Sequence, residues 1–139
     1  MSFLARLVTG LHVALYRLLD GRLVGHIGRA PILLLTTKGR RSGRTRTTPL
    51  IYQRDGERFV LVASNGGRPN HPAWWLNLRA HPQAVVEVGS DRLEVTARAA
   101  EAGERERLWS LMTSVYPGYD GYRTKTTRTI DVVLLTPRA

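Results

Sequence analysis

The sequence predicts a single domain of the α+β class, mainly antiparallel β, whose strands close into a small barrel. Two hairpin signals support this prediction, because Asp55-Gly56 and Gly89-Ser90-Asp91 each lie between two runs of strand-forming residues. About six such runs occur in the chain of 139 residues, with few helical segments between them. A regular alternation of strands and helices is missing, and so is a Gly-x-Gly-x-x-Gly turn, which argues against a dinucleotide-binding parallel sheet.

The first predicted element is an amphipathic helix over residues 2–20, where leucine and valine recur at helical spacing. We therefore divide the chain into residues 1–28, a helix with its linker, and residues 29–139, the barrel domain. Two interpretations of the helix remain open. It packs on the barrel, or it lies on a membrane surface with Arg6 and Arg17 near the lipid headgroups.

Strand signals dominate the rest of the chain. A short helix is predicted to begin at Pro72, where proline suits the first turn, and to end before Pro82. A longer helix is predicted over residues 103–115. The predicted strands are residues 31–37, 50–54, 58–63, 84–88, 93–99 and 130–135.

The predicted loop from Lys38 to Arg46 holds five cations within nine positions. Gly39 and Gly43 allow the backbone to bend close to a ligand, and guanidinium groups bind phosphate or carboxylate oxygens in a forked geometry. We predict an anion-binding loop, with backbone amides as further donors. A solvated hairpin loop and a nucleic-acid contact remain as alternatives. The second is disfavoured because the predicted helices lack a basic face.

Two further segments carry groups suited to a ligand. Ala63-Ser64-Asn65-Gly66-Gly67 follows a strand, so its amides and the Ser64 hydroxyl are expected to face the polar edge of a planar molecule. Tyr116, Tyr119 and Tyr122 follow a helix at three-residue spacing. We expect them to line a pocket mouth, where their rings stack on a substrate and a hydroxyl donates a proton. An ordinary loop and a packed turn are the respective alternatives.

The composition narrows the remaining chemistry. The formal net charge is +10, which favours an anionic partner, although an arginine-rich genome explains the same excess. There is no cysteine, so a disulfide, a thiolate nucleophile and a cysteine-ligated metal are excluded, and a reducing cytoplasm is expected. The four histidines are scattered without metal-ligand spacing, so no metal site is predicted.

Four motifs in a fixed order resemble the deazaflavin-dependent nitroreductase family of actinobacteria over about residues 30–137. They are Thr-Thr-Lys-Gly-Arg-Arg-Ser-Gly (36–43) ahead of Pro-Leu (49–50), Ala-Ser-Asn-Gly-Gly (63–67), Pro-Ala-Trp-Trp-Leu-Asn-Leu (72–78) and Tyr-Pro-Gly-Tyr-Asp-Gly-Tyr (116–122). The resemblance implies a split β-barrel of the FMN-binding type, with the N-terminal helix and two flanking helices. It also implies coenzyme F420, a deazaflavin whose phosphate and oligoglutamate tail carry several negative charges.

The resemblance assigns roles by motif position. It implies a cofactor site formed by Arg40, Arg41, Ser42, Gly43 and Arg46 at the phosphate and tail, Pro49, Ala63, Ser64 and Asn65 at the ring, and Trp74 and Asn77 at the groove. It implies a substrate site formed by Tyr116, Tyr119 and Tyr122, with Tyr119 as the proton donor. The implied reaction is hydride transfer from the reduced deazaflavin to an enone, a quinone or a nitro compound.

Several alternatives remain at this stage. An FMN-dependent enzyme of the same fold is one, although a single phosphate does not need five loop cations. A non-catalytic protein that binds a cofactor or lipid, and a basic nucleic-acid module, are the others. We expect a small-molecule substrate, no specific nucleic-acid partner and a monomer or homodimer. We also expect a cytoplasmic location, with membrane association through residues 2–20 left open.

Overall fold

The computed structural model describes residues 26–27 and 30–138, and it has eight strands and three α-helices in this part of the chain. The predicted helix over residues 2–20 and its membrane contact lie outside the described residues. The strands are β1 (His26–Ile27), β2 (Ala30–Lys38), β3 (Thr45–Ile51), β4 (Gln53–Asp55), β5 (Arg58–Val62), β6 (Gln83–Val88), β7 (Asp91–Ala99) and β8 (Val132–Pro137). The helices are α1 (Ala73–Ala80), α2 (Ala102–Val115) and α3 (Gly118–Lys125).

The strands form one sheet in which every described pair is antiparallel. The order is β1-β2-β6-β7-β8-β5-β4, and β3 pairs with β2. Only Tyr52 separates β3 from β4, yet β3 pairs with β2 while β4 pairs with β5, near the other end of the order. The sheet must therefore curl until its two ends meet. The predicted antiparallel barrel is confirmed.

The strands β5 and β8 are buried on both faces, which explains their continuous apolar sequences. Phe59 and Leu61 point into the barrel core, whereas Val60 and Val62 belong to a second core that lies under α2 and α3. This second core includes Leu108, Trp109 and Met112 from α2 and Tyr119 from α3. Because these side chains are almost fully buried, α2 and α3 are fixed to the outer face of the barrel.

Three elements differ from the sequence-based prediction. The strand β3 begins at Thr45, so the basic loop is shorter than predicted and spans residues 39–44. The strand predicted over residues 50–54 is interrupted at Tyr52 and belongs to two strands. The segment that holds the three tyrosines, for which no helix was predicted, is a helix, α3.

The physical reasons for these differences are local. The residues of β3 from Thr45 to Thr48 are polar and partly exposed, so no apolar alternation marks them as a strand. In α3, Pro117 occupies the N-cap position, where proline does not interrupt the helix. Gly118 and Gly121 lower the helix propensity of the segment, but packing on the barrel overrides it. None of the described helices is long and apolar enough to cross a lipid bilayer.

Candidate functional site

The basic hairpin loop, residues 39–44 between β2 and β3, is closed by its own backbone. The Gly39 amide donates to the Arg44 carbonyl at 2.7 Å, and the Gly43 amide donates to the Gly39 carbonyl at 2.9 Å. Gly43 has a left-handed φ of 72°, and a Cβ at Gly39 would lie 3.0 Å from the Arg44 carbonyl oxygen. Since the backbone closes the turn, no arginine side chain is needed to hold it.

Asn77 of α1 anchors this loop from the opposite side. Its Oδ1 accepts hydrogen bonds from the Arg40 backbone amide at 3.2 Å and from Arg40 Nη1 at 3.0 Å. Its Nδ2 donates to Thr37 Oγ1 at 3.2 Å. Asn77 and Thr37 are 5% and 2% exposed, so both amide atoms are used in a nearly dry environment. The contact fixes the position of α1 relative to the hairpin.

Helix α1 presents Asn77 inward because its buried residues share one face. The helix begins after Pro72, whose carbonyl accepts hydrogen bonds from the Trp75 and Leu76 amides. Trp74, Trp75, Asn77 and Leu78 are buried, at the spacing of a single helical face. Asn77 thus lies among apolar side chains that hold the helix on the barrel.

A groove of about 340 Å³ lies between the basic hairpin loop and α1. Six residues predicted to bind a cofactor line it, and Gly43 belongs to the same loop. Gly39 and four residues that were not predicted to bind a ligand, Thr37, Thr47, Thr48 and Ala73, complete the lining. The six predicted residues are Arg40, Arg41, Ser42, Arg46, Trp74 and Asn77.

The groove is strongly electropositive. Within the described ranges, Lys38, Arg40, Arg41, Arg44 and Arg46 form no ion pair with a carboxylate. Arg41, Arg44 and Arg46 are exposed, and Ser42 adds a hydroxyl at the turn. The site is concave, Trp74 lines one side of it, and its cations have no described carboxylate partner. Such a site suits a ligand that has several negative charges.

The segment after β5 forms a tight turn with unusual backbone angles. Asn65, Gly66 and Gly67 have φ values of 49°, 65° and 78°, so three successive residues are left-handed. A Cβ at Gly67 would lie 3.2 Å from the Tyr122 Cα and carbonyl oxygen, which shows how closely the turn packs on α3. Ser64 is 8% exposed, and its hydroxyl forms no hydrogen bond with another described residue.

The three predicted tyrosines share one region around α3. The hydroxyls of Tyr116 and Tyr122 are 2.8 Å apart and hydrogen-bonded. Tyr119 is 5% exposed, and its ring centroid lies 4.9 Å from that of Tyr116 and 6.3 Å from that of Trp109. The hydrogen bond with Tyr122 raises the pKa of Tyr116, and burial raises the pKa of Tyr119. Both phenols are therefore protonated at neutral pH.

The turn after β5 contacts the helix of the tyrosines and precedes α1 along the chain. Its residues 65–67 pack on α3, and residues 68–72 then lead into α1, whose Ala73, Trp74 and Asn77 line the groove. Asp131 links the same parts, because its Oδ2 accepts from Trp75 Nε1 and its carbonyl accepts from the Ala63 amide, both at 2.9 Å. Pro49 lies on β3 opposite Leu34, next to the groove residue Thr48.

Asp131 has no local signal in the sequence and was not predicted. The same is true of Arg128, whose guanidinium donates to the Ala63 and Ser64 carbonyls. Thr47 and Thr48 have a weak signal, since the β-branched residues Thr45, Thr47 and Thr48 directly follow the basic loop. Within the described ranges, no cluster of three or more acidic or histidine side chains is placed to hold a metal ion.

Comparisons with known proteins identify similar chains. Residues 8–137 match the family described as F420H(2)-dependent quinone reductase. A protein named F420H(2)-dependent quinone reductase from Mycobacterium tuberculosis H37Rv is 41% identical over 133 residues, which cover 92% of this chain and 89% of that protein.

Two solved structures are also similar. One, described as the F420-H2 dependent reductase FDR-A, is 41% identical, with a TM-score of 0.71 over 79% of this chain and 97% of that chain. The other, described as a domain-swapped dimer, is 37% identical, with a TM-score of 0.72 over 92% of this chain and 98% of that chain. The barrel and its flanking helices are therefore shared with reductases of the split-barrel type.

Proposed function

Since this chain belongs to the F420H2-dependent quinone reductase family, we propose that it transfers a hydride from reduced coenzyme F420 to a quinone. Coenzyme F420 is its cofactor, and the chain is an F420H2-dependent reductase. We propose in addition where the coenzyme binds and that the acceptor is a quinone. One observation carries it: the groove between the basic hairpin loop and α1, whose described cations have no carboxylate partner.

The donor set in the groove fits the anionic end of this coenzyme. Arg40 is held by Asn77, so its guanidinium is oriented before a ligand arrives. Arg41 and Arg46 are exposed and supply forked donors for phosphate and carboxylate groups. Phosphate and glutamate carboxylates together need several such donors, whereas FMN carries a single phosphate.

We place the ring of the coenzyme beside the turn after β5. In this placement the Ser64 hydroxyl and the backbone of Ala63 and Asn65 border the ring, and Pro49 lies on β3. In its reduced form the coenzyme supplies a hydride, which is the demanding part of the chemistry. The residues of the chain bind, orient and exclude water, and alignment of this kind contributes on the order of 7 kcal/mol or more in favourable cases.

The tyrosines of α3 form the acceptor side in this proposal. Tyr116 and Tyr122 are half-buried and offer ring faces for stacking on a flat acceptor. Reduction of a quinone to a hydroquinone requires a proton in addition to the hydride. Tyr119 is the proposed donor, since its ring lies in the same tyrosine cluster, with its centroid 4.9 Å from that of Tyr116.

Replacing Tyr119 with Phe tests that role. We expect kcat to fall about tenfold, because proton donation is lost while the buried ring remains. The Kd for coenzyme F420 should change less than about twofold, because the groove is untouched. Steady-state turnover with a soluble quinone measures the first value. An unchanged kcat would assign the proton to water.

The first experiment on the whole proposal is a titration of the protein with coenzyme F420, followed by quenching of the coenzyme's fluorescence. FMN and a duplex oligonucleotide serve as competitors. Micromolar binding of F420, weak competition by both, and oxidation of F420H2 by a quinone would support the proposal. Firm FMN binding without F420 binding would contradict it. Faster turnover of an enone or nitro compound than of every tested quinone would replace the acceptor but keep the cofactor site.

We also propose a homodimer as the working assembly. The support is that a solved relative, 37% identical, is described as a domain-swapped dimer. Light scattering after size-exclusion chromatography distinguishes a dimer from a monomer, and a monomer at all concentrations would contradict this part of the proposal.

A further inference from the structure

Arg128 binds four backbone carbonyl groups and no described carboxylate. Its Nε donates to the Arg68 carbonyl at 3.0 Å, and its Nη2 donates to the Ser64 carbonyl at 2.9 Å and the Ala63 carbonyl at 3.3 Å. Its Nη1 donates to the Thr129 carbonyl at 3.4 Å. Three of these four acceptors belong to the turn that follows β5, about sixty residues earlier in the chain.

The turn that Arg128 holds needs support from outside. Of its three successive left-handed residues, Gly66 and Gly67 adopt this conformation without steric cost, whereas Asn65 is strained. Within the turn, the Gly67 amide donates to the Ser64 carbonyl at 2.9 Å, and the Arg68 amide donates to the Asn65 carbonyl at 3.2 Å. Arg128 adds one rigid fork that joins the start of the turn to its end.

The position of the turn matters to both halves of the site. On one side Gly67 packs against Tyr122 and Lys125 of α3, so a shift of the turn would also displace the tyrosines. On the other side lie Ser64 and Asn65, which border the ring in the proposed function. The guanidinium of Arg128 is partly desolvated, which lowers its pKa, and the charge of Asp131 opposes this effect.

We propose that Arg128 is a positioning residue for hydride transfer, which holds the Ser64–Arg68 turn so that the coenzyme ring and the tyrosines of α3 stay aligned. This inference rests on the proposed function, because it assumes that the ring lies beside the turn. Arg128 acts through the backbone of the turn, so its loss affects alignment more than binding of the anionic tail in the groove.

The test compares Arg128→Lys with Arg105→Lys. Arg105 is a matched control because its Nη2 also donates to a backbone carbonyl, that of Ile130 at 3.1 Å, but it does not contact the turn. We expect Arg128→Lys to lower kcat about tenfold while the Kd for coenzyme F420 changes less than about threefold. Arg105→Lys should leave kcat within about twofold, even if both variants lower Tm equally.

A second readout needs no coenzyme. Amide hydrogen exchange at Gly67 and Arg68 should be at least about tenfold faster in Arg128→Lys than in the unaltered protein, and unchanged in Arg105→Lys. Addition of methylguanidinium to Arg128→Ala should restore part of kcat. If Arg128→Ala does not fold, Arg128→Lys alone decides. Unchanged exchange at the turn, or equal kcat losses in both lysine variants, would overturn the proposal.

These outcomes are separable from failure of the proposed function. If the unaltered protein does not bind coenzyme F420, the cofactor site is wrong whatever the exchange rates are. If it binds and turns over normally while the turn exchanges at the same rate in Arg128→Lys, only the positioning role is wrong.

Discussion

Arginines serve different purposes on two regions of this barrel. On the face covered by α2, arginines form ion pairs with neighbouring acidic residues. Arg107 binds both oxygens of Asp55 at 3.0 and 3.1 Å, and Arg98 binds Glu104 at 2.7 Å. Arg58 also binds Asp55. In the groove beside α1, Arg40 binds the side-chain amide of Asn77, and no groove arginine pairs with a described carboxylate.

The comparison shows that the location of acidic residues, more than the location of arginines, marks the binding site. Paired arginines on the α2 face attach the β4–β5 hairpin to the helix, and their charge is largely cancelled. Groove arginines retain their full charge and impose a local field on any ligand that approaches. The net charge of +10 would not distinguish the two regions, although their chemistry is different.

The largest effect is expected from removing charge in one region but not the other. Arg40→Ala with Arg41→Ala should weaken coenzyme F420 binding at least about 100-fold, because two forked contacts are lost. The control, Arg107→Ala with Arg98→Ala, removes the same number of positive charges from the paired region. It should change Kd less than about threefold. Fluorescence titration measures both.

Equal losses in the two double variants would mean that overall charge attracts the coenzyme and that the groove has no special role. Binding of the Arg40 and Arg41 variant within about threefold of the unaltered protein would place the anion site elsewhere.

A smaller effect should follow when a carboxylate is introduced into the groove. Asn77→Asp places a negative charge beside Arg40 and makes this arginine resemble those of the α2 face. We expect coenzyme F420 affinity to fall about tenfold, and by more than in Asn77→Ala, which loses the hydrogen bonds without adding charge. Titrations at two salt concentrations should show a reduced salt dependence in Asn77→Asp, because less charge remains to be screened. An Asp variant that binds as well as the Ala variant would contradict the electrostatic account.

The smallest effect concerns stability on the α2 face. Hydrogen bonds from Arg107 and Arg58 lower the pKa of Asp55 from 3.8 to about 2. The stabilisation is therefore complete above about pH 5 and is lost as the pH falls through the unfolded value of 3.8 towards about 2. Asp55→Asn should lower stability by ~1 kcal/mol at pH 7, and this difference should shrink as the pH approaches 2.

Thermal unfolding between pH 7 and pH 2.5 measures this difference, and coenzyme binding at pH 7 should be unaffected. A difference in Tm that stays constant across this range would mean that Asp55 acts through packing and not through its charge.

The barrel and the groove could be predicted from the sequence because their signals are local. The basic loop and the helix with Trp74 and Asn77 are each contained in a short motif, and hairpin geometry brings the loop to one end of its strands. Arg128 could not be predicted, since its partners are distant in the chain and are backbone atoms without a sequence pattern. Helix α3 was not predicted, because Pro117 and two glycines give this segment a low helix propensity. Tertiary packing stabilises the helix nevertheless.

The position of β8 has a consequence for how the chain folds during synthesis. This strand is the last one described in the chain, yet it lies between β7 and β5 in the middle of the sheet. Until residues 132–137 have left the ribosome, the edges of β5 and β7 lack this partner, and Val133 and Leu135 are missing from the barrel core. Closure of the barrel is therefore a late event, and nascent chains that end before β8 should depend on chaperones to avoid aggregation.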